Sequence, residues 1–103
     1  MAHACELDTS VYLYLAEERV QMQEAVDEIG LPKSRYIWMD LMIGSPVLMM
    51  DHWSRFSRSG TVGQPRFATK EKGKVIFEAV VQGLVELVEE FRRRPRQERV
   101  DLH

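Results

Sequence analysis

One segment constrains this chain more than any other: residues 60–94 open in glycine-rich turns and close in a long apolar-periodic run stopped by a proline. Gly60, Gly63 and Pro65 impose a turning path. Thr69 then stands where a helix N-cap belongs, its hydroxyl able to accept an otherwise unpaired backbone N–H. Ile76, Val80, Leu84, Leu87, Val88 and Phe91 recur at three- and four-residue spacing, while Phe77, Val81 and Val85 form a second apolar flank. This spacing predicts a long helix that is covered on more than one side, in a core or at an interface. Arg92, Arg93 and Arg94 fall on its last turn, where cations meet the negative end of the helix dipole, and Pro95 cannot extend it.

The remaining elements are shorter. Asp8, Thr9 or Ser10 can cap a helix that begins with Val11, Leu13, Tyr14, Leu15 and Ala16, so a helix is expected over about 9–16. Val20, Met22, Ala25 and Val26 continue a weak amphipathic pattern that Gly30 and Pro32 end, which predicts one or two further turns. Residues 31–36 read as a connector. The apolar run 36–50 fits a buried strand or a short helix, broken at Gly44-Ser45-Pro46, with a short strand over 47–50. Residues 1–94 thus form one unit, and 95–103 form a polar tail.

A chain of 103 residues supports one domain, and alone it buries only about 60 to 70 % of its unfolded surface. The net charge of -2 offers no general attraction to nucleic acid or to a membrane surface. The apolar run 37–50 is interrupted by Asp40, Gly44 and Pro46, and it is shorter than the roughly 20 residues that span a bilayer. Neither nucleic acid nor membrane is therefore an expected partner. With one cysteine, Cys5, and no basic-then-apolar leader at the start, a reducing cytoplasm is the expected location.

The chemistry-bearing residues gather in two places. His3, Glu6 and Asp8 put an imidazole and two carboxylates within six positions, a set that suits proton transfer or part of a metal shell. The same residues also fit a polar terminus with a capping aspartate. His52, Trp53 and Phe56 could wall a small ligand and Arg55, Arg58 and Arg66 could hold a carboxylate, or the segment is a surface loop anchored by one tryptophan. Methionines 39, 42, 49 and 50 suit adaptable packing or a subunit interface, and Cys5 suits a small buried residue. No H-E-x-x-H, C-x-x-C, G-x-S-x-G or Walker-type loop occurs.

Two stretches carry a family resemblance. His3-Ala4-Cys5-Glu6-Leu7-Asp8-Thr9-Ser10 resembles the His-Ala/Gly-Gly-x-x-Glu-Thr-Ser motif of the creatininase (creatinine amidohydrolase) family. Gly60-Thr61-Val62-Gly63-Gln64-Pro65, with Ala68-Thr69-Lys70-Glu71-Lys72-Gly73, is similar to that family's Gly-x-x-Gly-Asp-Pro and Ala-Thr-x-Glu-Lys-Gly segments leading into its final helix. Cys5 replaces a glycine and Asp8 a glutamate. The resemblance implies a helix-rich fragment of an α/β fold, its C-terminal part with a long final helix. It also implies a zinc- or manganese-dependent hydrolase opening a small cyclic amide or related ring.

The family's metal ligands lie in Glu-x-His, Asp and Asn-Gly-His segments absent from this sequence, so no metal ligand is assigned in this chain. The resemblance implies catalytic roles for His3 and Asp8, with His3 handling a proton, and substrate contacts for Glu6 and Trp53. It further implies a small-molecule substrate and a homo-oligomer or an N-terminal partner. The rival expectation is a non-catalytic oligomerisation or subunit module that keeps the family's helices.

Overall fold

The computed structural model describes residues 3–30, 34–40 and 42–101. Helix α1 spans Glu6–Ala16 and helix α2 spans Lys70–Arg93. Single 3-10 turns lie at Glu17–Arg19, Met22–Glu24, Trp53–Arg55 and Pro65–Phe67. Helix-rich character is therefore what the described residues show. Extended pairing among them is limited to two isolated antiparallel bridges, His3 with Val62 and Glu28 with Gly63.

Helix α2 follows its local chemistry. Thr69 is extended, and its Oγ1 accepts the Lys72 N–H at 3.2 Å. At the other end Arg94 leaves helical geometry one residue before Pro95. Helix α1 begins earlier than the spacing predicts, at Glu6 rather than near Thr9. The reason is Asp8: instead of capping from outside, its Oδ2 reaches back from the first turn to take the Cys5 backbone N–H at 3.1 Å. That carboxylate satisfies an amide left unpaired at the helix start and favours the positive end of the dipole.

The two helices meet where a side chain is missing. A Cβ on Gly73 would lie 1.8 Å from the Ser10 carbonyl oxygen and 3.0 Å from the Tyr14 Cβ, so the glycine permits direct backbone contact. The Thr69 N–H donates to the fully buried Ser10 hydroxyl at 3.2 Å. One turn further along, Tyr14 and Phe77 approach with ring centroids 5.7 Å apart. The Lys72 ammonium closes the contact by pairing with the Glu6 carboxylate at 2.6 Å and by donating to the Phe67 carbonyl at 2.8 Å.

Helix α1 has 11 residues and α2 has 24, so α1 covers only the first part of its partner. Beyond Phe77 every α2 residue is exposed, including Val80, Val81, Leu84, Val85, Leu87, Val88 and Phe91. Among the described residues cover is thus confined to the N-terminal third, on the face that meets α1, and the expected cover on several sides is not seen. No helix among the described residues is long and apolar enough to cross a membrane.

A strap over residues 20–30 and the 56–66 loop make a second, smaller packing centre. Val62 exchanges backbone hydrogen bonds with His3 at 3.1 and 2.9 Å, and Gly63 exchanges them with Glu28 at 3.0 and 2.7 Å. Residues 62 and 63 therefore join the chain's first described residues to the strap. Val62 and Phe56 are buried, with Met39 packed against them.

The Glu28 carboxylate accepts from the Ser57 and Ser59 hydroxyls and from the Arg58 and Ser59 amides. Those donors, the Ser59 hydroxyl foremost, lower its pKa from 4.5 to about 2.

Neither the strand-or-helix expected over 36–50 nor the strand over 47–50 is present among the described residues. Turn chemistry prevails there. Ser34 Oγ accepts the Tyr36 and Ile37 amides, Trp38 Nε1 donates to the Ile43 carbonyl, and Val47 N–H donates to the Tyr36 carbonyl. Leu41 and residues 31–33 of the expected connector lie outside the described residues. The tail expected after Pro95 is exposed and irregular over 96–101.

Candidate active site

The cluster read from the sequence divides in two. His3 and Asp8 line one cavity of about 460 Å³ together with Thr9, Tyr12, Arg19 and Gln21. Glu6 points away from it. Its carboxylate pairs with Lys72 and lines a separate cavity of about 540 Å³ with Leu7, Val75 and Ile76. Helical geometry accounts for the division, because residues 6 and 8 are 200° apart around a helix of 3.6 residues per turn, by the roughly 100° step per residue.

His3 is held by its backbone and by an aromatic neighbour. The bridge to Val62 fixes its main chain, and the Trp53 indole meets the imidazole edge-on at a centroid distance of 5.0 Å. Trp53 is fixed in turn by Nε1 donating to the Gly60 carbonyl at 3.0 Å and by edge contact with Phe56 at 6.4 Å. Trp53 therefore acts on His3 directly, an arrangement in which the ring restricts the imidazole's orientation.

Between His3 and the helix lies Ala4, with φ of 44°. A left-handed alanine costs on the order of 1 kcal/mol, and here it turns the chain from the Val62 bridge into α1. Cys5 follows, buried, with its thiol 3.4 Å from Asp8 Oδ2. Opposite it sits Gly63 at φ 149°, where a Cβ would fall 2.5 Å from the Cys5 Cβ. The absence of a side chain at 63 makes room for the cysteine that replaces a motif glycine.

The arginines expected near Trp53 are dispersed. Arg55 pairs with Asp51 at 3.0 Å, whereas Arg66 donates through Nε to the Ala25 carbonyl and through its amide to Asp27. His52 is exposed and does not line the His3 cavity. Tyr12 and Arg19 were not singled out by sequence reasoning. Tyr12 was within reach of it, lying four residues from Asp8 and so on the same helix face. Arg19 was not, since it follows the break in α1 at Ala16, and its placement depends on how the chain turns there.

Among the described residues, no three His, Cys, Asp or Glu side chains converge as a metal shell requires. The donors present are committed elsewhere: Asp8 Oδ2 to Cys5 and Glu6 to Lys72.

The statistical model of one family, creatininase (creatinine amidohydrolase), matches residues 1–88. Among solved structures, the chain is similar to a crystal structure from Bacteroides fragilis NCTC 9343 designated a candidate creatinine amidohydrolase. The identity is 28 % and the TM-score 0.71, over 93 % of this chain and 36 % of that one. No curated protein matches. This chain thus spans about a third of that relative's length, and it belongs to the creatininase family.

Proposed function

We propose that this chain supplies the C-terminal portion of a creatininase-like, metal-dependent hydrolase of the α/β class that opens a small cyclic amide or related ring. The observation that carries the reading is the joint placement of His3 and Asp8 on one cavity wall, with Trp53 edge-on against the imidazole, in a chain of this family. His3 moves a proton at the reacting amide and Asp8 anchors the segment that presents it. Trp53 holds the imidazole and offers its ring to substrate.

A zinc or manganese ion would supply an activated water and polarise the carbonyl. The described residues do not by themselves fit its shell, so its ligands belong to the rest of the assembled enzyme. A cytoplasmic location and assembly with an N-terminal partner or with further copies complete this reading.

The test assays creatinine hydrolysis by the chain alone and by the chain mixed with the portion of the Bacteroides fragilis protein that it does not match. Each arm is run with zinc, with manganese and with a chelator. The expected result is metal-dependent turnover in the mixture, with His3→Ala lowering kcat by about 10²-fold or more, as for loss of a general acid–base group. Turnover indifferent to His3→Ala would remove that residue from the site.

A second reading, a non-catalytic oligomerisation or subunit module, is favoured by the apolar α2 face left exposed beyond Phe77. Stable complexes with no hydrolysis under any metal condition would select it.

A further inference from the structure

The supports of the His3 imidazole all lie in the segment 53–63, and the strap at 28–30 grips that segment at three places. A Cβ on Gly30 would fall 1.7 Å from the Phe56 carbonyl oxygen, so strap and segment touch there through backbone alone. The Glu28 main chain pairs with Gly63. Between these grips the Glu28 carboxylate takes the Arg58 amide at 2.7 Å on Oε1, and the Ser59 amide and Ser57 hydroxyl, each at 3.0 Å, on Oε2. The Ser59 hydroxyl also donates to Oε2. Immediately after this turn come the Gly60 carbonyl, which holds the Trp53 indole, and Val62, which holds the His3 main chain. Glu28 does not line the His3 cavity, so its influence on the imidazole passes through the segment.

We propose that Glu28 is a positioning residue of the candidate active site: its carboxylate fixes the 57–59 turn, and through it the Gly60 carbonyl that keeps the Trp53 indole against His3. The inference rests on the ring-opening reading above, in which His3 moves the proton, and adds to it the residue that keeps the imidazole in place. A carboxylate is required because the Arg58 and Ser59 amides point at different oxygens, and backbone N–H groups can only donate. The two serine hydroxyls can rotate to suit a new partner; the amides cannot. A glutamine of the same shape has one oxygen and one NH2, so whichever way it is flipped its NH2 faces one of the two amides, donor against donor. The turn must then shift to relieve the conflict, and Gly60 shifts with it.

The test reads the contact itself in the intact chain and needs no turnover. In the wild type, a nuclear Overhauser signal is expected between imidazole and indole ring protons, from rings with centroids 5.0 Å apart. Glu28→Gln should weaken it about threefold, the fall that an inverse-sixth-power dependence gives for a retreat of about 1 Å, a displacement that matters at a reacting group. The Tyr14–Phe77 signal, from rings 5.7 Å apart between the two helices, should stay at its wild-type strength and serves as the control for the fold. Ser59→Ala, at an exposed position, removes one donor to Glu28 and should weaken the His3–Trp53 signal by less. That variant decides the matter if Glu28→Gln fails to fold.

A His3–Trp53 signal unchanged by either variant overturns the proposal. So does a parallel loss of the Tyr14–Phe77 signal, which would make Glu28 a support of the whole fold rather than of the site. Where the creatinine assay gives turnover, Glu28→Gln should lower kcat about tenfold, less than His3→Ala, because the imidazole is present but misplaced. An undiminished kcat beside a weakened contact also overturns the positioning role. Failure of the creatinine assay removes the hydrolase reading and leaves the ring contact measurable.

Discussion

Replacing Gly73 by alanine isolates the contact on which the two helices depend. By helix propensity alone the change would stabilise the chain, because glycine inside a helix is about 1 kcal/mol worse than alanine. The surroundings reverse the sign. The new Cβ would stand 1.8 Å from the Ser10 carbonyl oxygen and 2.5 Å from its carbonyl carbon, both of them backbone atoms that no rotamer change can move. Ordinary non-bonded contact needs about 3.5 Å, so α1 and α2 must part by roughly 1.5 Å.

That displacement strains the packing by about 1–3 kcal/mol. It also breaks the Thr69 amide bond to the buried Ser10 hydroxyl, at about 1 kcal/mol more. Set against the propensity gain, the net loss is about 1–3 kcal/mol, and thermal unfolding followed by helical circular dichroism should shift down by about 5–20 °C at this size. Gly83 is the internal control: it lies in the same helix with nothing within 4 Å of its built Cβ. Gly83→Ala should therefore raise the midpoint by the worth of about 0.5–1 kcal/mol. If both variants stabilise alike, the close helix contact is refuted.

Three further outcomes are expected. Glu28, held at about pKa 2 against an ordinary 4.5, contributes stability that is present above about pH 4.5 and is lost as pH falls toward 2. Glu28→Gln should flatten that limb of a denaturation-midpoint series, and an unchanged limb would show that other carboxylates carry it. Thr69→Ala removes the acceptor for the Lys72 amide and should cost about 1 kcal/mol in urea unfolding, with no change in α2 beyond its first turn. The exposed α2 stripe should drive concentration-dependent self-association in sedimentation velocity, reduced by Leu84→Glu with Val88→Glu. A wild-type chain that stays monomeric at high concentration would contradict this.

Where local chemistry decides structure, the amino-acid order is sufficient. The limits of α2 follow from Thr69, the apolar period and Pro95, each acting within a few residues, and the turns at 60–65 follow from glycine and proline in the same way. The existence of α1 was legible too. Its true start was not, because Asp8 serves as an internal acceptor rather than an outer cap, and the two roles leave similar traces in sequence. A family motif drew attention to His3 and the aromatic group at 52–56 to Trp53, yet their edge-on contact joins residues 50 positions apart that no periodicity links.

Tertiary structure decided the rest. Helical spacing already sets Glu6 on another face from Asp8, but only the fold brings Lys72, 66 residues away, to pair with its carboxylate. Arg19 entered the cavity because the chain turns after Ala16, and Glu28 became the clasp of a loop about 30 residues distant. The 36–50 run, apolar enough for a strand, closed into turns through Ser34 and the Trp38 indole. Caps and periods stabilise a segment through its own neighbours. By contrast, a site needs donors and acceptors brought together across the chain, and their pairing is settled only when the packed backbone sets the distances between them.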